Sequence, residues 1–304
     1  MFLSAVATLQ TNNTLQAFEF TSASATLDDH RRLGDSFGTQ YKTLITTRYG
    51  KKLAPGGGLA GLLKIATNTT AGAALYDSFV AYHDQHYPEA MAELRGMSAA
   101  SGVPFNAVFV QNVEEEFSGC ASASHVLRSR RVDVDDCSDL MMCVDGGVCA
   151  VGHNEDNNNE DLGTLIMVRA KMGPASWVAA TYAGELSSGA FAFSRSGRFG
   201  YTLNYVGPKD AVCPAAGRGF VSRAALSMSS AGAAQDLITR VAMSSGHNYQ
   251  LFDFSSPSAP SIHNIEVAPR GLFAVRPVTA TPFFHANQYE TLAVPQYLGN
   301  SSLQ

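Results

Sequence analysis

The sequence predicts an α+β fold in which helices and antiparallel sheet form packed layers, and three observations point to it. Apolar residues recur at helical spacing through the first 110 residues. From about Cys137 the texture changes to short strand-like runs parted by Gly, Asn and Asp, and helical spacing then returns once before strands resume. With 304 residues, 45% hydrophobic and 15% charged, the chain has enough apolar material for one large core and too little charge for a disordered protein.

The elements follow in order. Residues 30–47 place Leu33, Phe37, Tyr41 and Leu44 on one helical face, and residues 73–95 do the same with Leu75, Phe79, Tyr82, Met91 and Leu94. Pro55-Gly56-Gly57-Gly58 breaks the first segment, and SGVPFN at 101–106 closes the second. The strand-like runs are CSDLMMC, VCAVGHN, LGTLIMVRAKM, SWVAATYAG, GAFAFS and RFGYTLNYVG. Residues 219–243 return to helical spacing, and NYQLFDF, SIHNIEVA and LFAVRP read as strands again.

Charge narrows the partners. A formal net charge of −5 and basic runs no longer than Lys51-Lys52 or Arg130-Arg131 leave nothing to neutralise a phosphate backbone, so a small molecule is expected rather than nucleic acid. No stretch reaches the roughly 18 apolar residues of a membrane span. The opening MFLSAVATLQ is apolar but lacks a basic leading region, and sequons at Asn12, Asn68 and Asn300 permit a secretory route without requiring one. The compartment stays open.

Most short motifs lose to simpler readings. GGGLAG at 56–61 follows no hydrophobic strand and reads as a flexible turn rather than a dinucleotide site. Cys137, Cys143, Cys149 and His153 lack the tight C-x2-4-C knuckle of structural zinc. DVDD and EDNNNED lack the glycine of a calcium loop, and no G-x-S-x-G elbow is present. The five cysteines are an odd number, so in an oxidising compartment at least one stands outside a disulfide.

Residues 135–156, DDCSDLMMCVDGGVCAVGHNED, form the informative stretch. Asp145-Gly146 supplies the positive-φ pair of a two-residue hairpin turn, which sets Cys137 opposite Asn154; a Gly146-Gly147 turn sets it opposite Asp156. Either register returns GHNED to the side of Cys137. The plain alternative is an ordinary hairpin carrying a buried cysteine.

Five segments occur in a telling order: HYPEAMAELRGMSAASGVPFNAVFVQN (86–112), DDCSDLMMC, VGHNED, GRFGYTLNYVG (197–207) and FFHANQY (283–289). In these the chain from about residue 30 onward resembles the acyl-coenzyme A:6-aminopenicillanic acid acyltransferase family of N-terminal-nucleophile cysteine hydrolases, which includes insect N-β-alanyldopamine hydrolases. The resemblance implies a four-layer αββα sandwich and a precursor that cuts itself before a cysteine, which becomes the nucleophile while its new α-amine serves as base. An α-amine titrates at about 8, close enough to neutrality for that task.

Mapped onto this chain, the resemblance implies a cut between Asp136 and Cys137. It gives a mainly helical light chain, 1–136, and a heavy chain of sheet and helices, 137–304, within one compact unit. Gly119-Cys120 is a rival junction, disfavoured because no hairpin follows it and Cys120 is far from GHNED. Asp156 would orient the amine of Cys137, and Asn204 and Asn287 would serve the oxyanion hole. His153 and Tyr205 would stand behind these residues or touch substrate. The implied substrate is a small N-acyl amine or acyl thioester, with no metal or organic cofactor and no membrane. An unprocessed binding or structural protein on the same scaffold is the alternative reading.

Overall fold

The computed structural model describes residues 15–123, 137–144, 147–189 and 191–297. The chain opens with a strand, β1 (Gln16–Ser22), followed by α1 (Leu27–Gln40), α2 (Lys42–Lys52), α3 (Gly58–Asn68), α4 (Thr70–His86), α5 (Pro88–Ser101), α6 (Phe105–Asn112) and α7 (Glu114–Ala123). A hairpin, β2 (Cys137–Val144) and β3 (Val148–Glu155), precedes β4 (Leu165–Met172), β5 (Ala175–Tyr182), β6 (Phe191–Ser194) and β7 (Phe199–Val206). Two helices, α8 (Arg218–Ala225) and α9 (Ala231–Arg240), lead to β8 (Gly246–Asp253), β9 (Ser261–Ala268), β10 (Leu272–Pro277) and the short β11 (Phe283–His285). None of the described helices is long and apolar enough to cross a membrane.

The strands make two sheets. An eight-stranded sheet has the order β1-β4-β5-β6-β7-β8-β9-β10, with β1 parallel to β4 and every other pair antiparallel. A three-stranded antiparallel sheet has the order β11-β2-β3. Mixed helix and sheet are as the residue pattern predicts.

Alternation along β7, β8 and β9 explains the layering. One face presents Tyr201, Leu203, Tyr249, Leu251, Ile265 and Val267, which share the main core with Phe79, Phe109, Phe117 and Phe220 of the helices. The opposite face presents Phe252 and Ile262, which pack with Met141 and Phe283 of the small sheet. It also presents Thr202, Asn204, Asn248, Gln250, Asn264 and Glu266, all buried. So helices cover one side of the large sheet, the small sheet covers the other, and the layer between the sheets is polar at one end. The outer face of the small sheet carries Leu140, Val148 and Phe284, each about half exposed.

Departures from the residue pattern have local causes. The helical run expected over 73–95 breaks at Tyr87, ahead of Pro88. β1 lies within the stretch that reads as mainly helical; it exists because β4 offers it a full parallel ladder, Gln16 opposite Ile166 through Ser22 opposite Met172. The helix expected over 30–47 breaks at Tyr41, whose φ of −107° and ψ of 20° leave the helical region while its hydroxyl donates to Ala17 O at 2.8 Å. GGGLAG is a turn only at its start: Gly56 takes φ +91°, and α3 begins at Gly58.

The helical layer is tied down by contacts that periodicity does not report. α1 and α5 cross so closely that a Cβ on Gly34 would sit 1.9 Å from Glu93 O, and one on Gly96 would sit 2.2 Å from Arg31 O. Buried Glu93 accepts from Arg223 Nη2 at 2.6 Å and bonds His30 Nδ1 at 2.8 Å, joining α1, α5 and α8. The Arg223 guanidinium lies 3.9 Å from the Trp177 ring centroid, which extends the tie to β5.

Candidate active site

The β2–β3 hairpin builds the site. Its register pairs Cys137 with Glu155, Asp139 with His153, and Cys143 with Cys149. The connection is therefore a three-residue loop, 145–147, ending on Gly147 at φ +81°, and it falls between the two registers that two-residue turns predict. Directly opposed residues point to the same face, so Cys137, Asp139, His153 and Glu155 all project toward the large sheet. A disulfide between Cys143 and Cys149 crosses the same face and holds the register.

Cys137 opens β2, half-buried. Its Sγ donates to Glu155 Oε2 at 3.1 Å, and its backbone nitrogen donates to Asn287 Oδ1 at 3.2 Å. Glu155 is shared: Oε2 also meets His153 Nε2 at 3.1 Å, and Oε1 accepts from Tyr182 Oη at 3.0 Å. His153 Nδ1 lies 2.9 Å from Asp139 Oδ1, so both ring nitrogens face carboxylates. Burial works against a charge on this ring, but the hydrogen bonds and charges of Asp139 and Glu155 outweigh it and push the pKa up to about 9. The imidazolium is thus the resting form at neutral pH. Burial first, and the Glu155 charge second, raise the Tyr182 phenol well above its ordinary value, so it stays protonated and donates.

Two asparagines approach from other elements. Asn287, buried in the segment after β11, donates through Nδ2 to Tyr205 O at 2.9 Å, so its side chain spans from β7 to the head of β2. One of its two amide hydrogens is committed to that carbonyl. Asn204, fully buried on β7, directs Nδ2 to His285 O at 3.5 Å, while its Oδ1 has no hydrogen-bond partner among the described residues. The Tyr205 side chain lies on the helical face, 6.0 Å from the His247 ring, and its backbone carbonyl reaches the site.

The carboxylate beside Cys137 is Glu155. Asp156 lies one residue past β3, where its carboxylate accepts from the exposed Asn154 side chain at 2.8 Å. A shift of one residue reverses the face, which is why a register error of one exchanges the two acids. Three further site residues escape the sequence reading: Glu155, Asp139 and Tyr182. A cross-strand pairing of Cys143 with Cys149 was the available signal, because it makes opposed positions sum to 292 and sets Glu155 against Cys137.

The cysteines sort cleanly. Cys120 pairs with Cys213 and Cys143 with Cys149, so Cys137 is in neither disulfide. Cys120 sits inside α7, which removes Gly119-Cys120 as a junction next to a reactive thiol. The Cys143–Cys149 bond likewise takes two thiols from the four-residue zinc set. Asp136 lies outside the described residues.

Among the described residues, two groups have donor atoms close enough for a cation, Cys137 with His153 and Glu155, and Glu115 with Glu116 and His247. In the first, a metal would have to displace the bond between His153 and Glu155. The arrangement as it stands offers a half-buried thiol, a carboxylate to take its proton, a charged imidazole to hold that carboxylate, and an amide on the adjacent backbone nitrogen. No family model matches the chain, and no curated protein matches it.

Proposed function

We propose that the chain is a self-processing N-terminal-cysteine amidohydrolase or acyltransferase of four-layer αββα architecture, acting on a small N-acyl amine or acyl thioester through an acyl-enzyme on Cys137. The observation that carries the reading is the environment of one residue. Cys137 heads a strand, its thiol faces a carboxylate, and its backbone nitrogen faces the Asn287 amide oxygen. An N-terminal nucleophile needs functional partners on both Sγ and N. An ordinary core cysteine needs neither. Helices, a large sheet and a small sheet stacked in that order supply three of those four layers; the outer face of the small sheet, with Leu140, Val148 and Phe284 about half exposed, carries no fourth among the described residues.

The chemistry runs in two stages. In the precursor the Cys137 nitrogen is an amide and cannot act as base, and Glu155 Oε2 at 3.1 Å is the group placed to take the thiol proton. The thiolate attacks the Asp136 carbonyl, the C–N bond breaks as the nitrogen is protonated, and water hydrolyses the resulting thioester. The released α-amine then serves as base for substrate. Sγ attacks the substrate carbonyl, the amine or thiol leaves with a proton, and water or an acceptor amine resolves the acyl-enzyme. The Asn287 oxygen orients the new amine, and the Asn204 and Asn287 amides are the donors available to an oxyanion, a role worth about 10²- to 10³-fold in rate.

N-terminal sequencing of the purified protein tests the reading. A fragment beginning Cys-Ser-Asp-Leu is expected from the wild type, and only uncut chain from Cys137→Ala. Fragments from the Cys137→Ala protein would sink the assignment. A wild type that stays uncut would favour the binding-protein reading. The two disulfides and the exposed sequon Asn68 support passage through an oxidising compartment.

A further inference from the structure

Asn287 has no ladder of its own. β11 ends at His285, and the chain then runs without regular structure through Asn287 and Tyr289. Yet its amide must bridge Tyr205 O and the Cys137 nitrogen, at 2.9 and 3.2 Å. Something must fix the segment on both sides of it.

A single carboxylate does so. Glu266, fully buried on β9, meets His285 Nε2 with Oε1 at 3.0 Å, before Asn287. Beyond Asn287 it accepts the backbone N–H of Glu290 at 2.6 Å, of Thr291 at 3.1 and 3.0 Å through its two oxygens, and of Leu292 at 2.7 Å. Both flanks of the four-residue span 286–289 thus close on one side chain. Charge-assisted bonds of this kind are about twice as strong as neutral ones, and a buried carboxylate tolerates its desolvation only when so satisfied. Tyr289 adds a second tie through its hydroxyl to Val267 O at 3.0 Å, on the strand that carries Glu266.

We propose that Glu266 is a positioning residue that sets the Asn287 amide against the backbone nitrogen of Cys137. Glu266 touches neither the thiol nor the nitrogen in question; it acts through Asn287. The inference rests on the proposed function for its catalytic meaning, but its geometry is testable in cut or uncut protein.

The test is alkylation of Cys137 by iodoacetamide without reductant, located by peptide mapping and followed against pH. The titrating groups around the thiol, Glu155, His153, Asp139 and Tyr182, together with the α-amine of Cys137 itself once the chain is cut, are unchanged in the variants used. Asn287→Ala should shift the pH midpoint by about half a unit or more. Glu266→Gln should shift it in the same direction, and the double variant should move it no further than Asn287→Ala alone. Additive shifts, a wild-type profile for Glu266→Gln, or a wild-type profile for Asn287→Ala each overturn the proposal. If Glu266→Gln fails to fold, Glu266→Asp replaces it: one methylene shorter, it keeps the charge but reaches fewer donors, and a partial shift is expected. An uncut wild type with these shifts intact refutes the proposed function while leaving the positioning role standing.

Discussion

At the scale of the residue, the site is a chain of charges, Asp139, His153 and Glu155, ending on a thiol. His153 makes this measurable. Its folded pKa of about 9 lies above the ordinary 6.5, so the stabilisation from its two carboxylates is complete below about pH 6.5 and lost as pH rises through 9. In urea denaturation, wild type should exceed His153→Gln by on the order of 2 to 3 kcal/mol at pH 6, with the gap closing by pH 9.5. A gap that stays constant across that range would mean that folding leaves the pKa of the ring at its ordinary value. Glu155→Gln addresses the chemistry: it keeps a partner for Tyr182 but cannot accept the thiol proton. Conversion to a fragment beginning at Cys137 should slow by about 10²-fold or more, as expected for loss of a general base. Processing at the wild-type rate would remove Glu155 from the first stage.

At the scale of the element, the hairpin decides which side chains meet. Its disulfide joins directly opposed residues on the buried face, and in the chain-entropy account closing so short a loop contributes about 2 kcal/mol. The Cys143→Ser, Cys149→Ser double variant should lower the urea midpoint accordingly, and unchanged stability would show that the ladder holds register alone. The same hairpin marks how far the sequence could be read. Period-two runs from CSDLMMC onward become β2 to β10 within a residue or two at most ends, because burial on one face demands alternation. Cys137, His153 and Asn287 were legible because each sits in a short motif. Glu155 was not, because turn residues alone suggest a two-residue loop and the real loop has three. Glu266 was invisible for a different reason: its donors lie 19 to 26 residues away, and nothing local in SIHNIEVA announces them. β1 was lost because its partner, β4, is about 150 residues downstream.

At the scale of the whole molecule, the proposed cut would divide the chain without dividing the fold. Residues before Asp136 supply β1, whose ladder lies entirely on β4 of the later part, and Phe18 of that strand is buried in the main core. Glu93 before the cut meets Arg223 after it. The covalent tie is Cys120–Cys213, which joins α7 to the segment leading into α8 across the junction. Processed protein should therefore run as one full-length species in a denaturing gel without reductant and as two fragments with it. Cys213→Ser should give two fragments in the denaturing gel even without reductant, yet elute as a single species from gel filtration, because burial of the shared core is lost only on denaturation. Two fragments from unreduced wild type would show that the disulfide does not form. Separation of the Cys213→Ser fragments under native conditions would show that the shared sheet and core cannot hold the halves, and that the disulfide is required for the cut protein to persist.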